Sequence, residues 1–552
     1  MNHARTPSLA LGFVLALIPC ARGQSVLQIY SGEQQYSSFG DRATHLGDVD
    51  GDGVGDYLIG APLEDSPHDQ TGRAYVYSGA TQTLLRTHAG EGSYDLLGLT
   101  LAGPGDVDGD GLADYAIGSH RGGPHGYVDM FSGVDGSLLW RLSAGTFEGY
   151  FGFSLAVLDD MDGDGARELA IGIPHYSPSV RVVSGATGAT LYTAPSGSNQ
   201  SNEFGWSLAS VPDVDGDGFA DFWVGARGAS NALPAIGFVR LISGLTGAQL
   251  LQIDGHQLNA EFGGIITNAG DATGDGIAEL LVVEIKLSRA YLYDGATGAE
   301  LWNYALHLAT WDRRVSITGV GDLNGDGRDD HAIGTSLDCQ GALCSGRVRI
   351  YSGLDGSLLM QLTGHGSEAP YQRFGAHVQG IDDVDQDGVR DLLVGSRWGP
   401  EPFAGELRVI SLGPCVSPTN YCSTSPNSAG PGALMGSLGT TSVDLDDFSL
   451  IATGAPPDKV GIFFYGAQAG QAPLGNGTRC VALPLFRLRP PQTCDAAGTA
   501  LMKLRLWGPG APHGSGAILA GSTWRFQFWY RDPAAGGWGF NVSDGLEVPF
   551  CP

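Results

Sequence analysis

Cationic residues are scarce in this chain. Against 59 Asp plus Glu there are only 30 Lys plus Arg, so the formal charge is −29 over 552 residues. That imbalance excludes nucleic acid or an anionic membrane as the principal partner. Helical heptads and long stripes of period 3.6 are absent, which excludes a bundle or coiled coil. After the first 23 residues no run is apolar enough to cross a bilayer as a helix. Neither H-E-x-x-H nor G-x-S-x-G occurs, and the His residues are scattered without ligand spacing. The usual zinc-protease and serine-hydrolase chemistries therefore have no foothold.

What is abundant is glycine, 87 residues, with 29 prolines beside it, while aromatic and aliphatic residues stay at globular levels. That mixture suits many short strands joined by tight turns and argues against disorder. The length exceeds what one core usually serves, so at least two domains are expected. Residues 1–23 read as an export signal: His3 and Arg5 precede the apolar run Leu9 to Ile18, and Ala21-Arg22-Gly23 supplies small residues before a cut at Gln24. A secreted or cell-surface protein is expected. Removing Arg5 and Arg22 takes the charge from −29 to −31 and leaves Cys339, Cys344, Cys415, Cys422, Cys480, Cys494 and Cys551. In an exported chain these are expected to be mostly disulfides, with one left over.

One nine-residue pattern, D-x-D-x-D-G-x-x-D, dominates the first 400 residues. Its seven copies are set by Asp48, Asp50, Asp52 and Asp56; Asp106, Asp108, Asp110 and Asp114; Asp160, Asp162, Asp164 and Glu168; Asp213, Asp215, Asp217 and Asp221; Asp271, Thr273, Asp275 and Glu279; Asp322, Asn324, Asp326 and Asp330; and Asp383, Asp385, Asp387 and Asp391. The period is about 56 residues, in the range of solenoids, arrays and propellers. A Phe-Gly pair precedes the loop at Phe39-Gly40, Phe151-Gly152, Phe204-Gly205, Phe262-Gly263 and Phe374-Gly375; repeat two weakens it to Leu97-Gly98 and repeat six lacks it. After the loop comes an apolar strand ending in a turn such as Gly60-Ala61-Pro62, then a third strand, a Ser-Gly turn such as Ser184-Gly185-Ala186-Thr187-Gly188, and a fourth short strand. Four strands with Gly-rich turns make one propeller blade. The seventh copy stops after its third strand, Leu407–Ile410, and Val26–Tyr30 offers the missing fourth. Closing a ring this way would protect edges that an open array exposes.

These units resemble the FG-GAP repeats of the integrin α-subunit propeller, over roughly residues 25–413. The resemblance implies an all-β fold with a seven-bladed β-propeller over 24–413. It also implies a role as a binding or adhesion module, although the family includes enzyme appendages as well as receptors.

Each acidic loop gathers up to four carboxylates. Two unit charges 4 Å apart repel by about 4 kcal/mol at an effective dielectric of 20, so convergent carboxylates need a cation. Oxygen ligands at positions 1, 3, 5 and 9, with a backbone carbonyl at 7, suit Ca²⁺ better than Mg²⁺, and Gly at position 6 permits the sharp turn. Position 12 is apolar, Ile59 in repeat one, which excludes the EF-hand. Up to seven structural Ca²⁺ are expected. They would bring the charge after export from −31 to about −17.

Strand parity puts the acidic loops and the Ser-Gly turns on one face. The more variable 2→3 and 4→1 connections lie on the other, where an extracellular protein or carbohydrate ligand is expected. Candidate contacts are His120, Arg121, Tyr176, Arg227, Arg397 and Trp398. An extracellular polysaccharide-active enzyme, or its accessory propeller, is the alternative reading. A quinoprotein is a poorer one, since only the turns near Trp140 and Trp302 keep a docking-type Trp. After Gly413-Pro414 the repeat ends, and the strand-like runs Val460–Tyr465, Leu485–Leu488, Leu501–Leu506 and Trp524–Tyr530 predict a β-sandwich-like module over 414–552. It resembles a C-terminal module of secreted bacterial repeat proteins in Asn420-Tyr421-Cys422 and Phe526–Pro533. That resemblance implies a boundary and no function.

Overall fold

The computed structural model describes residues 25–550 apart from 66–67, 124, 144, 146–148, 197–201, 229–235, 307, 309–313, 341–342, 345, 364–372, 399–403, 414–417, 439–440, 442–447, 507–510 and 519–521. The leader expected over 1–23 lies outside the described residues. What is described is strand and turn, with three 3₁₀ turns of three residues each. The chain forms two compact units, one spanning Ser25–Gly413 and the other holding Pro414–Pro552.

The first unit is built from four-stranded antiparallel sheets, seven of them among the described residues. Sheet one runs Arg42–His45, Tyr57–Ala61, Arg73–Tyr77 and Leu84–Ala89 in chain order. Its second strand is buried throughout, whereas its fourth is exposed at Leu84, Thr87 and Ala89. That contrast is why the second strand of each repeat reads as a continuous apolar run and the fourth as a mixed one. Sheet six carries an extra hairpin, Cys339–Gln340 against Leu343–Cys344, that pairs Cys339 with Cys344 across the strands. Sheet seven takes Phe374–Ile381, Asp391–Ser396 and Glu406–Ser411, and Ser25–Ser31 fills the fourth place, with Val26 opposite Ile410 and Tyr30 opposite Leu407. The first strand of each sheet packs on the first strand of the next, and Phe374–Ile381 of sheet seven packs on Arg42–His45 of sheet one. An all-β chain of repeated four-stranded sheets is consistent with a β-propeller. Residues of the first strands and acidic loops of repeats three to seven, among them Leu208, Thr267, Thr318 and Arg390, line a cavity of about 550 Å³.

The two halves of the repeat motif turn out to be one contact. A Cβ on Gly60, in the Gly-Ala-Pro turn of repeat one, would stand 2.1 Å from the carbonyl oxygen of Gly98, in the Leu-Gly pair of repeat two. The same encounter recurs between Gly172 and Gly205 at 2.2 Å, Gly225 and Gly263 at 2.0 Å, Gly334 and Gly375 at 2.5 Å, and Gly395 and Gly40 at 2.0 Å. Only glycine lets the backbones approach this closely. The aromatic half of each pair is buried beside it, as with Phe39, Phe151, Phe204, Phe262 and Phe374. A hydroxyl latch accompanies the contact: Thr100, Ser154, Ser207 and Ser316 each donate Oγ–H to the carbonyl of the next repeat's Phe-Gly glycine, at 2.7–2.8 Å. Repeat five replaces the turn glycine by Val283, and repeat six replaces the Phe-Gly glycine by Arg314. These two departures are the two sides of the same junction.

The second unit is all-β as well. Thr523–Arg531 and Val460–Gly466 lie at the middle of a seven-stranded sheet, and Leu434–Leu438, Ser449–Thr453 and Ala500–Lys503 form a three-stranded one. Phe463, Phe526 and Phe528 of the larger sheet share one apolar core with Leu450 and Met502 of the smaller, and Phe448 lies in the same core. Cys422 and Cys480 form a disulfide, and Cys494 is a buried free thiol. Cys415 and Cys551 lie outside the described residues.

Candidate metal centres and the opposite loop face

Each acidic loop joins the first two strands of its sheet, and its geometry repeats. In loop one, Asp48 Oδ1 accepts the N–H of Gly51 at 2.6 Å and Oδ2 that of Gly53 at 2.8 Å. Gly51 and Gly53 sit at φ of 82° and 85°, which only glycine adopts cheaply. Position 9 is the buried member. Asp56 Oδ2 accepts the N–H of Val49 at 2.7 Å, and Oδ1 accepts that of Gly79, in the Ser-Gly turn, at 2.9 Å. Asp114, Asp221 and Asp330 repeat both bonds, to Gly133, Gly244 and Gly353 in their own turns. Position 9 thus ties the acidic loop to the second turn of the same face, a role the spacing alone does not reveal.

Carboxylates converge as the spacing requires, with one difference. Oxygens of Asp48, Asp50 and Asp56 lie within 4.8 Å of one another, as do those of Asp106, Asp108 and Asp114; Asp160, Asp162 and Glu168; Asp213, Asp215 and Asp221; and Asp271, Asp275 and Glu279. In the first four of these groups positions 1, 3 and 9 meet. Position 5 instead caps its own loop, as Asp52 does by accepting the N–H of Val54 at 2.9 Å. Ser184 donates to Asp164, Ser243 to Asp217 and Ser411 to Asp387, at 3.0–3.3 Å. Asn324 donates to Asp326 at 2.8 Å.

The clusters fit a hard divalent cation. Burial, then the charges of Asp50 and Asp52, push Asp56 up to about 6 against the opposing N–H bonds of Gly79 and Val49. Burial likewise lifts Glu168, Glu279 and Asp391 to about 7 and Asp330 to about 6, with the loop's other carboxylates adding to each shift. Glu168 Oε1 and Asp391 Oδ1 are buried and accept no hydrogen bond among the described residues. Three oxygens drawn together with a buried charge among them are what a cation stabilises.

Loop five departs from this. Thr273 at position 3 turns its hydroxyl onto Glu279 Oε1 at 3.0 Å, and the Arg328 guanidinium of repeat six packs against Gly274, so closely that a Cβ there would meet it at 1.1 Å. Neighbouring loops are also joined. The N–H of Ala113 donates to the Asp48 carbonyl at 2.9 Å, that of Asp329 to the Asp271 carbonyl at 3.0 Å, and that of Ala220 to Asp159 Oδ2 at 3.0 Å.

On the opposite face, His120 is buried, edge-on to Tyr150 and Phe153, so this candidate contact supports the surface from beneath. Arg227 stacks on Trp206 at 3.2 Å and pairs with Glu203 at 2.5 Å; Arg121 stands 5.9 Å from the Tyr150 ring. Tyr176 is 73% exposed. Trp398 packs edge-on to Tyr36 and under Arg373 at 3.8 Å, and Arg397 donates to Ser38 Oγ at 2.9 Å. Sequence reasoning missed Phe153 and Trp206. A signal was available, since each directly follows a Phe-Gly pair.

Comparison with known proteins agrees with this geometry. Residues 41–77, which cover the first three strands of sheet one, and 204–239, which cover the first two strands of sheet four and the start of its third, match the FG-GAP repeat. The chain is 29% identical over 226 residues to integrin alpha-V of Gallus gallus, covering 36% of this chain and 21% of that one. It is 34% identical over 163 residues to integrin alpha-4 of Xenopus laevis, covering 27% and 16%. It is 35% identical over 161 residues to integrin alpha-5 of the same species, covering 26% and 15%. The chain therefore spans about a fifth or less of the length of these relatives, and what it shares with them is an integrin-α-like set of FG-GAP repeats.

Proposed function

We propose that this is an extracellular adhesion module: a closed seven-bladed FG-GAP propeller, stiffened by Ca²⁺ at one face, that binds an extracellular protein at the other. The observation that carries the reading is the division of labour within every repeat. One end of each sheet holds the acidic loop, and in repeats one, two, four and six position 9 bonds that loop to the Ser-Gly turn of the same end. The other end holds connections that differ in length and chemistry from repeat to repeat, from Pro62–Gly72 in repeat one to the short Ile285–Leu287 turn in repeat five. A constant scaffold end and a variable end are the arrangement of a binding protein. Similarity to integrin α chains favours a protein ligand over a glycan.

Ring closure is supported by Ser25–Ser31 completing sheet seven and by the Gly395–Gly40 contact, which repeats at the seam the contact found between other repeats. The reading of 414–552 as an appended β-sandwich rests on its two sheets sharing one core. In loops one to four the carboxylates of positions 1, 3 and 9 would hold the cation and position 5 would hold the loop's shape, and in loop five Asp271, Asp275 and Glu279 would hold it. A bound Ca²⁺ supplies charge neutralisation and cross-linking, with no reaction implied.

The reading is tested by presenting the secreted protein to an array of extracellular-matrix proteins and glycans, with Ca²⁺ and with excess chelator. Retention on one or more proteins, lost in chelator, is expected, together with a fall in melting temperature of tens of degrees, because a ligand that binds only the native state stabilises it by mass action. An unchanged melting curve in chelator would refute structural Ca²⁺; retention on glycans alone would refute the protein-ligand assignment.

A further inference from the structure

The Ser-Gly turns are held from two sides, and one of those sides belongs to the preceding repeat. Tyr192, in the fourth strand of sheet three, donates its hydroxyl to the Gly244 carbonyl in the turn of repeat four. At the seam Gln28, in Ser25–Ser31, donates Nε2–H to the Gly79 carbonyl in the turn of repeat one. Trp302, in the fourth strand of sheet five, makes the same bond to Gly353 of repeat six at 3.1 Å. The two rings also lie against the glycine that ends the turn. A Cβ on Gly247 would stand 2.9 Å from the Tyr192 ring, and one on Gly356 3.0 Å from that of Trp302.

These are the same glycines whose N–H groups bond to position 9, namely Asp56, Asp221 and Asp330. A single residue thus has its carbonyl fixed by the preceding repeat while its N–H fixes a buried carboxylate of its own acidic loop. In loops one and four that carboxylate converges with positions 1 and 3. Repeat three supplies the contrast. Trp140 donates Nε1–H to the Gly185 carbonyl at 2.7 Å and lies against Gly188, 3.0 Å from where its Cβ would be. Glu168, however, leaves Oε1 without a hydrogen bond among the described residues. There the turn meets its loop through Ser184 and Asp164, at position 5, outside the converging trio.

We propose that Tyr192 and Gln28 are positioning residues for the cations of loops four and one, each setting the affinity of a metal site in the next repeat through the turn glycine between them. The inference rests on the structural Ca²⁺ reading and adds to it a link between metal sites and repeat junctions. A carboxylate oxygen has two lone pairs, so position 9 can accept the turn N–H and hold a cation together. A turn already held in place leaves less freedom to be lost when the cation binds. The same coupling runs in reverse, so a bound cation tightens the junction to the preceding repeat. Where position 9 does not reach the turn, as in repeat three, the junction and the metal site are uncoupled.

Hydrogen exchange of the full chain across a Ca²⁺ series, read peptide by peptide, gives each acidic loop its own half-protection concentration. A neutral hydrogen bond caps the effect at about tenfold, and partial transmission makes about threefold the expected shift. Tyr192→Phe, which deletes one hydroxyl, should raise the loop-four midpoint by that factor and leave those of loops one and two in place. Gln28→Met should do the same to loop one. Trp140→Phe loses an equivalent bond and should lower the melting temperature about as much as Tyr192→Phe, yet leave the loop-three midpoint where it was. A merely structural role would move the melting temperatures and no single midpoint. An unmoved midpoint in either Tyr192→Phe or Gln28→Met overturns the proposal, as does an equal shift of loop three by Trp140→Phe. Protection indifferent to Ca²⁺ in every loop would sink the structural Ca²⁺ reading and the coupling with it, so the two failures are told apart.

Discussion

The junction between repeats three and four and the junction between repeats five and six are built to the same plan with opposite contents. At the first, Gly172 backs onto the Gly205 carbonyl, and Ser154 donates to that same oxygen at 2.8 Å. At the second there is Val283 in place of the turn glycine, Ile265 in place of the latch, and Arg314 in place of the Phe-Gly glycine. Val283 is fully buried in an apolar cluster with Val315, Ile317 and Ile333. One junction is closed by backbone proximity and a hydroxyl, the other by side-chain packing. The comparison explains the motif: Phe-Gly and Gly-Ala-Pro are two surfaces of one joint, and they are lost together.

That explanation breaks or holds on a pair of methyl changes. Gly172→Ala adds one methyl group 2.1 Å from Ser154 Oγ and 2.2 Å from the Gly205 carbonyl oxygen. Because one obstacle is backbone, the cost should reach about 3 kcal/mol or more. Val283→Ala removes two methyl groups from the apolar joint and should cost about 2 kcal/mol. Denaturant unfolding of both variants with Ca²⁺ present decides the matter. If Val283→Ala is the worse of the two, the glycine contact yields and the motif has another origin.

A second comparison concerns the latch at the seam. His377 stands where Ser316 stands one repeat earlier. Burial, then Arg42, lower its pKa to about 4, with Asp41 opposing. A histidine with a folded value of about 4 and an unfolded value near 6.5 binds more protons when unfolded. Its contribution is therefore fully present above pH 6.5 and is lost as the pH falls toward 4, by about 2 kcal/mol at pH 5. The stability difference between the parent and His377→Ser should shift by that amount in favour of the variant between pH 7 and pH 5. A pH-independent difference would mean that His377 stays solvated.

How much of this was legible in the sequence depends on the range of each interaction. The acidic loops are local, nine residues closing on themselves, so spacing alone reveals the carboxylates that Asp48, Asp50 and Asp56 bring together. Their inner arrangement is less legible, because the second bond of position 9 reaches Gly79, more than twenty residues on, and turns that carboxylate into a staple. All-β repeats were readable from alternating short apolar runs and Gly-rich turns. The meaning of the Phe-Gly pair was not, since its partner glycine lies in the preceding repeat. Residues of the face opposite the acidic loops were the hardest. His120 reads as a surface residue beside Arg121, yet Tyr150 and Phe153 of the next repeat cover it. Arg314 stands out only after the repeats are aligned in space and the small residue it displaces is known.

The smallest effect sharpens the comparison between loop five and its neighbours. Loops four and five share the same backbone frame, with Gly216 and Gly218 matched by Gly274 and Gly276 at positive φ. At position 3, however, Asp215 is replaced by Thr273, whose hydroxyl is spent on Glu279. Arg328 from repeat six lies against Gly274, so a positive side chain already sits at the loop where a metal would add positive charge. One anionic ligand fewer and one cation more both weaken affinity for a divalent ion, which depends on ligand charge count. Site five should be the last to fill in a Ca²⁺ titration followed by calorimetry or terbium luminescence. Thr273→Asp should raise the affinity of that one site by about tenfold. Arg328→Gln should raise it by less, since a solvent-screened charge at the rim is worth less than a ligand. If the parent titrates as a set of equal sites and neither change alters the curve, the repeats bind independently of position 3, and the carboxylate of position 9 carries the affinity.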